Sequence, residues 1–231
     1  MIKPSKIYKM RIVFHLVADA PERADIVGAL RTMILKSGLP FARAKQSFKV
    51  PRIAYGPSVK RGQFAAREYV DIYLFTSVSV QKARTRLEAC KPKGLTFLDC
   101  QRIPFTLAGV QQLASVAAYE VQGDFASYEP KQTLENYVSS PRLEVMRQTP
   151  DGSRLTTNIK PFVRLARMLD ATHVELILNR VDERWLSPLE FISAWLGKEI
   201  NLASESTGDE RFTIIRQGLY WQDGQNNLHL I

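Results

Sequence analysis

The chain has 231 residues, 45% hydrophobic and 24% charged, with a formal net charge of +9, the composition of a soluble globular protein of one domain or two small ones. No apolar run approaches the ~20 residues of a membrane span, and the basic opening MIKPSKIYKM is followed by no apolar signal core, so no membrane association and a cytoplasmic location are expected. Cys90 and Cys100 supply neither a C-x-x-C pair nor four ligands, so both are expected as buried, reduced thiols, with no metal and no cofactor.

Residues 9–17 (KMRIVFHLV) alternate, placing Ile12, Phe14 and Leu16 on one face and Arg11, Val13 and His15 on the other, the period of a half-buried strand. Asp19 is suited to cap the helix that follows, Pro21 fits its first turn, and Ile26, Val27, Leu30, Met33 and Ile34 recur at helical spacing until Gly38. Residues 40–55 read as an extended, basic second strand, ended by a turn at Gly56-Pro57. Residues 68–75 alternate again, with Val70, Ile72 and Leu74 opposite Tyr69, Asp71, Tyr73 and Phe75. Ser79 caps a helix through Val80, Ala83, Leu87 and Cys90, and residues 95–103 form a fourth strand. The order is β-α-β-β-α-β, the ferredoxin-like unit.

The second half repeats that order with weaker signals. Strands are expected at 117–121, at 142–149 turning through Asp151-Gly152 into 154–159, at 173–179, at 211–221 and at 228–231 after a turn at Asp223-Gly224. A short helix is expected over 130–138. Ser187-Pro188-Leu189-Glu190 is a capping box opening a helix whose Phe191, Ile192, Trp195 and Leu196 pack inward until Gly197. Pro104, Gly109 and a glutamine pair interrupt the pattern between 104 and 113. The expected fold is therefore α+β, two tandem ferredoxin-like lobes with antiparallel sheets, a basic one over 1–108 and a second over 109–231.

Several stretches carry a resemblance to a known family: KMRIVF at the start, KSGLPFARAKQSFKVPRIAYGPSVKRGQ, EYVDIYL, NIKPFVRL, and IIRQGLYWQDG near the end. On these the whole chain resembles the radical-SAM-associated domain family of unknown function, whose members are often encoded beside or fused to radical-SAM proteins, some being joined to ribonuclease E/G-type proteins. The resemblance implies a radical-SAM enzyme as a possible partner. The family's usual Ser-His-Leu-Asp reads here as PERAD, and its Gly-Phe-Asn-Pro-His-Pro-Lys loop as Ser47-Phe48-Lys49-Val50-Pro51-Arg52, so Phe48, Pro51 and a basic Arg52 match and the loop histidine does not. No catalytic or metal role resting on those histidines carries over.

Charge gives the functional expectation. Residues 1–67 hold 14 Lys or Arg against three acids, while the rest of the chain nets −2. Such asymmetry points to an anionic partner, RNA or an RNA-containing complex. The expected RNA-binding residues are Arg43, Lys45, Phe48, Lys49, Arg52, Tyr55, Lys60, Arg61 and Arg67, the alternative being a solvated loop that keeps the protein soluble. Arg11, His15, Tyr69 and Tyr73 share the face away from the helices. There they either lie open and stack single-stranded bases or are covered by the second half. His15, His173 and His229 share no metal-ligand spacing, and with no P-loop, no iron-sulfur cysteine motif and no G-x-G-x-x-G, no catalytic residue is assigned. The expected function is a non-catalytic RNA-binding or RNA-positioning accessory to a separate enzyme, which the resemblance implies to be a radical-SAM enzyme. The alternatives are a protein-protein adaptor of such an enzyme, and a small endoribonuclease or RNA-modifying enzyme using His15 with a tyrosine.

Overall fold

In a computed structural model of the protein, the residues described are 7–16, 23–44, 47–57, 59, 63–148, 152–198, 200 and 212–231. They form a mixed α/β structure of strands and five α-helices, in which the strand pairings within each of two compact units are antiparallel. The chain passes from the first unit to the second between Ala114 and Ser115; Ile231 groups with the first, and Gln63 and Phe64 group with the second.

The first unit contains β1 (Tyr8–Leu16), α1 (Arg23–Lys36), β2 (Arg43–Ala44), β3 (Ser47–Pro51), β4 (Ile53–Tyr55), β5 (Gln63–Leu74), α2 (Val80–Glu88), β6 (Leu95–Ile103) and α3 (Val110–Leu113). Its sheet has the order β4-β5-β1-β6, so β1 and β5 are central. Strand alternation sends Met10, Ile12, Phe14 and Leu16 of β1 and Val70, Ile72 and Leu74 of β5 into a core with Ile26, Leu30, Met33 and Ile34 of α1 and Ala83 and Leu87 of α2. Burying each large side chain of this set stabilises the fold by roughly 1.5–3 kcal/mol. Both helices thus lie on one face of the sheet. Gly38, at φ +62, supplies the left-handed residue that ends α1, and the Ser37 hydroxyl donates to the Ile34 carbonyl at 2.7 Å. The Ser79 hydroxyl caps α2, accepting from the Lys82 amide at 3.3 Å. Asp19 and Pro21, expected at the start of α1, lie outside the described residues.

The expected single strand over 40–55 is three short ones instead. Pro40 and Pro51 have no N–H to give a continuous ladder, and the chain folds back on itself between them. The third strand, β4, joins the main sheet, pairing Ile53 with Ile72 and Tyr55 with Val70, while β2 and β3 pair only with each other. Strand β5 also starts earlier than its alternation suggests, at Gln63.

The second unit contains β7 (Val116–Gln122), α4 (Leu134–Ser139), β8 (Glu144–Gln148), β9 (Arg154–Asn158), β10 (Val163–Met168), β11 (His173–Val181), β12 (Arg184–Trp185), α5 (Pro188–Leu196), β13 (Thr213–Gln222) and β14 (Leu228–Leu230). Its sheet has the order β10-β11-β7-β13, with β12 on β11 and β14 on β13. Helix α4 begins later than expected because Thr133 caps it, accepting from the Asn136 amide at 3.3 Å. The hairpin of β8 and β9 is present; Asp151 of its expected turn lies outside the described residues, as does Arg211 before β13. Strand β10 was not expected. Ser187 occupies the N-cap of α5 and Pro188 its first turn, but the serine side chain makes no capping bond, so the serine half of the expected capping box is missing. Phe191, Ile192, Trp195 and Leu196 are buried as expected. Rings of Phe125, Trp195, Phe212 and Tyr128 meet at 5.4–5.6 Å between centroids, in tilted contacts typical of aromatic cores.

Candidate functional site

The basic segment is built around a backbone junction. The Ala42 amide donates to the Tyr73 carbonyl at 2.6 Å, the Tyr73 amide to the Arg52 carbonyl at 3.4 Å, and the Arg52 amide to the Ala42 carbonyl at 2.7 Å. These three bonds close a ring that clamps both ends of the β2–β3 hairpin to β5. The hairpin is therefore a two-stranded arm with a fixed foot. Arg43 and Lys49 on the arm are exposed, as is Arg67 on β5, and β3 runs beside α1, whose Arg31 and Lys36 are exposed in turn. Lys45, Lys60 and Arg61 lie outside the described residues, and nothing is described of the Phe48 side chain.

Two of the expected RNA-binding residues are half-buried rather than exposed. Arg52 is half-buried, its guanidinium carbon 4.1 Å from the centre of the Tyr73 ring. That is a cation-π contact at the foot of the arm. Tyr55 is half-buried and stacks on core residue Phe14, centroids 6.4 Å apart at 30°.

The face shared by Arg11, His15, Tyr69 and Tyr73 is not an open stacking surface. Arg11, Tyr69 and Tyr73 are buried, with exposures of 2%, 0% and 7%, and His15 is half-buried. The physical reason lies in a buried charge cluster. Asp71, 0% exposed, accepts from Arg11 Nε at 2.8 Å and Arg11 Nη2 at 3.1 Å, and its Oδ2 lies 3.1 Å from Lys9 Nζ. Lys9, 1% exposed, also donates to the carbonyls of Leu107 and Ala108 at 2.8 and 3.1 Å. The loop after β6 is thereby pulled across this face. Burial and the Asp71 carboxylate push the Tyr73 hydroxyl above its usual pKa, against the opposing pull of Arg52 and Arg11. Tyr73 is thus a neutral phenol at physiological pH.

Burial also removes acids from the surface. Between residues 26 and 114 the acids are Glu68, Asp71, Glu88 and Asp99. Glu68 and Asp71 are buried, Glu88 pairs with Arg84 at 2.9 Å, and Asp99 bonds the Cys100 amide at 2.7 Å. Both cysteines are free; Cys100 is buried, and burial with the Asp99 charge raises its thiol pKa to about 11, while Cys90 is half-buried. Among the described residues no group of three or more His, Cys, Asp or Glu could hold a metal ion. His173 sits against Asp170 at 2.9 Å, and His229 stacks on Trp221 and meets Asp223 at 2.8 Å. Both are exposed or half-exposed polar contacts in the second unit.

Phe105 is a residue that sequence reasoning missed. It lies in the loop held by Lys9, is 48% exposed, and meets Tyr73 edge-on with centroids 6.3 Å apart at 81°. A lone aromatic after a proline has no periodicity to mark it.

A family model described as an uncharacterized protein conserved in bacteria (DUF2344) matches residues 23–188. No curated protein matches the chain.

Proposed function

We propose, for a chain that belongs to the DUF2344 family of uncharacterized proteins conserved in bacteria, a role as a non-catalytic accessory that binds RNA through the basic arm of its first unit. The observation that carries this reading is the clamped arm. Its Arg43 and Lys49 are exposed on a ribbon whose two ends are held to β5 by backbone bonds. Exposed cations gathered on one segment attract a polyanion, and phosphate contacts dominate affinity for nucleic acid. The protein would hold its RNA in the cytoplasm for a separate enzyme, in keeping with the resemblance to radical-SAM-associated proteins. Among the described residues no helix is long and apolar enough to cross a membrane.

The same reading takes each unit as a ferredoxin-like lobe. Its support is that both have a strand-helix-strand-strand-helix-strand order, with the first and third main strands central and the fourth beside the first. Such a lobe presents edge insertions, here the arm, without disturbing the central strands.

The test is an RNA titration of wild type against the Arg43→Ala/Lys49→Ala/Arg67→Ala variant, whose substitutions all fall on exposed side chains. Affinity is expected to fall roughly ten-fold. Equal affinity in both would remove the arm from the interface. Absence of RNA binding by wild type would favour docking of the arm on an acidic surface of a radical-SAM enzyme.

A further inference from the structure

We propose that the foot of the arm is a stacking site specific for single-stranded RNA, in which an unstacked base lies against the exposed ring of Phe105 beside the guanidinium of Arg52; this rests on the RNA reading above. Single exposed apolar residues are common and need no explanation. Phe105 differs in how it is held. Its loop is closed by the Leu107 amide bonding to the Pro104 carbonyl at 3.1 Å, and it is tied down by Lys9 Nζ, itself anchored on buried Asp71. A fully buried lysine is thus committed to fixing a loop whose aromatic faces water.

The ring has a defined posture. Its edge-on contact with Tyr73 sets the ring plane, and the Arg52 guanidinium carbon lies 5.9 Å from its centroid while stacking on Tyr73. Arg52 also belongs to the backbone junction that carries the arm. A cation beside an exposed aromatic, at the base of a cationic ribbon, offers π-contact to a base and charge to its phosphate together. Because both groups are already placed, little ordering cost accompanies binding.

This arrangement selects a strand state. A duplex keeps its base faces against one another and hides its edges in a deep, narrow major groove, so it gives Phe105 nothing to stack on. A single strand offers a free face at every nucleotide, and each base-aromatic stack contributes roughly 1–3 kcal/mol with little dependence on base identity. The predicted ligand is therefore single-stranded RNA read with weak sequence preference.

The experiment compares wild type, Phe105→Ala, Phe105→Trp and Arg43→Ala/Lys49→Ala/Arg67→Ala for binding an unstructured RNA and a duplex of equal length. The single strand carries a fluorescent adenine analogue that reports stacking. Phe105→Ala is expected to weaken single-strand binding about ten-fold, abolish the stacking signal and leave duplex binding unchanged, with Phe105→Trp restoring both single-strand readouts. An unchanged stacking signal and affinity in Phe105→Ala overturns the stacking site; if the triple variant is still impaired, the RNA reading survives without it. Equal losses on single strand and duplex also overturn it. No RNA binding by wild type overturns both. Circular dichroism melting confirms that each variant is folded, as expected for a half-exposed side chain.

Discussion

Asp71 ties together the buried polar side of the first unit's sheet. One carboxylate answers two buried cations on β1, and the lysine of the pair reaches on to the loop that bears Phe105. Removing it would leave Lys9 and Arg11 in an interior with no counter-charge. Desolvated cations without a partner are among the costlier defects a core can hold. Asp71→Ala is therefore expected to destabilise the protein by about 3–5 kcal/mol, measured as a shift of the urea unfolding midpoint. A loss below about 1 kcal/mol, the level of an exposed ion pair, would show that the cluster is hydrated and that the loop is not held as described. The cluster also explains why counting basic residues in sequence overstates the charge available to a partner. Lys9 and Arg11 belong to the basic half of the chain, yet both are buried and paired.

At the level of elements, two glycines give opposite expectations. Gly123 follows β7, and a Cβ there would sit 2.3 Å from the Phe212 ring, inside the aromatic cluster of the second unit. Gly28 lies in the middle of α1, where the same added carbon would meet nothing within 4 Å beyond its chain neighbours and the helix's own backbone. Gly123→Ala is expected to cost about 1–3 kcal/mol through overpacking, and Gly28→Ala to stabilise by roughly 0.5–1 kcal/mol through helix propensity. Thermal melts of the two variants should move in opposite directions. Matching shifts would mean that the Phe212 ring moves aside freely. Where alternation was strict the elements were legible, as with β1, whose Ile12, Phe14 and Leu16 turn to the helices. Caps written in local chemistry, such as Ser79, were legible too. Strand β10 was not, because its buried residue, Ala166, is too small to mark a face, and the strand follows a short turn containing Pro161. Nor could the fate of the Tyr69 and Tyr73 face be read from periodicity, which says which side a residue takes and nothing about what covers it. The arm escaped for a similar reason: the bonds at its foot join residues 42, 52 and 73, and no local pattern encodes such a junction.

For the whole molecule, the chief physical variable is ionic strength. On the RNA reading proposed above, a protein of net charge +9 whose excess positive charge lies in residues 1–67 should lose affinity for RNA steeply as salt rises, since each neutralised phosphate releases counterions. If Arg43, Lys49 and Arg67 each meet one phosphate, removing all three should flatten the plot of log affinity against log salt by about 2 units, at ~0.7 per contact for a single strand. An unaltered slope with reduced affinity would place the three side chains away from the backbone and assign their effect to packing. The clamp at Ala42, Arg52 and Tyr73 has a last consequence, for design and for descent. Because both ends of the ribbon are joined to β5 at one point, replacing its tip with a tight turn is expected to leave the pairing of β5 with β1 and β4 in register. The ribbon could thus vary in length and charge over evolution while the sheet that carries it stays fixed.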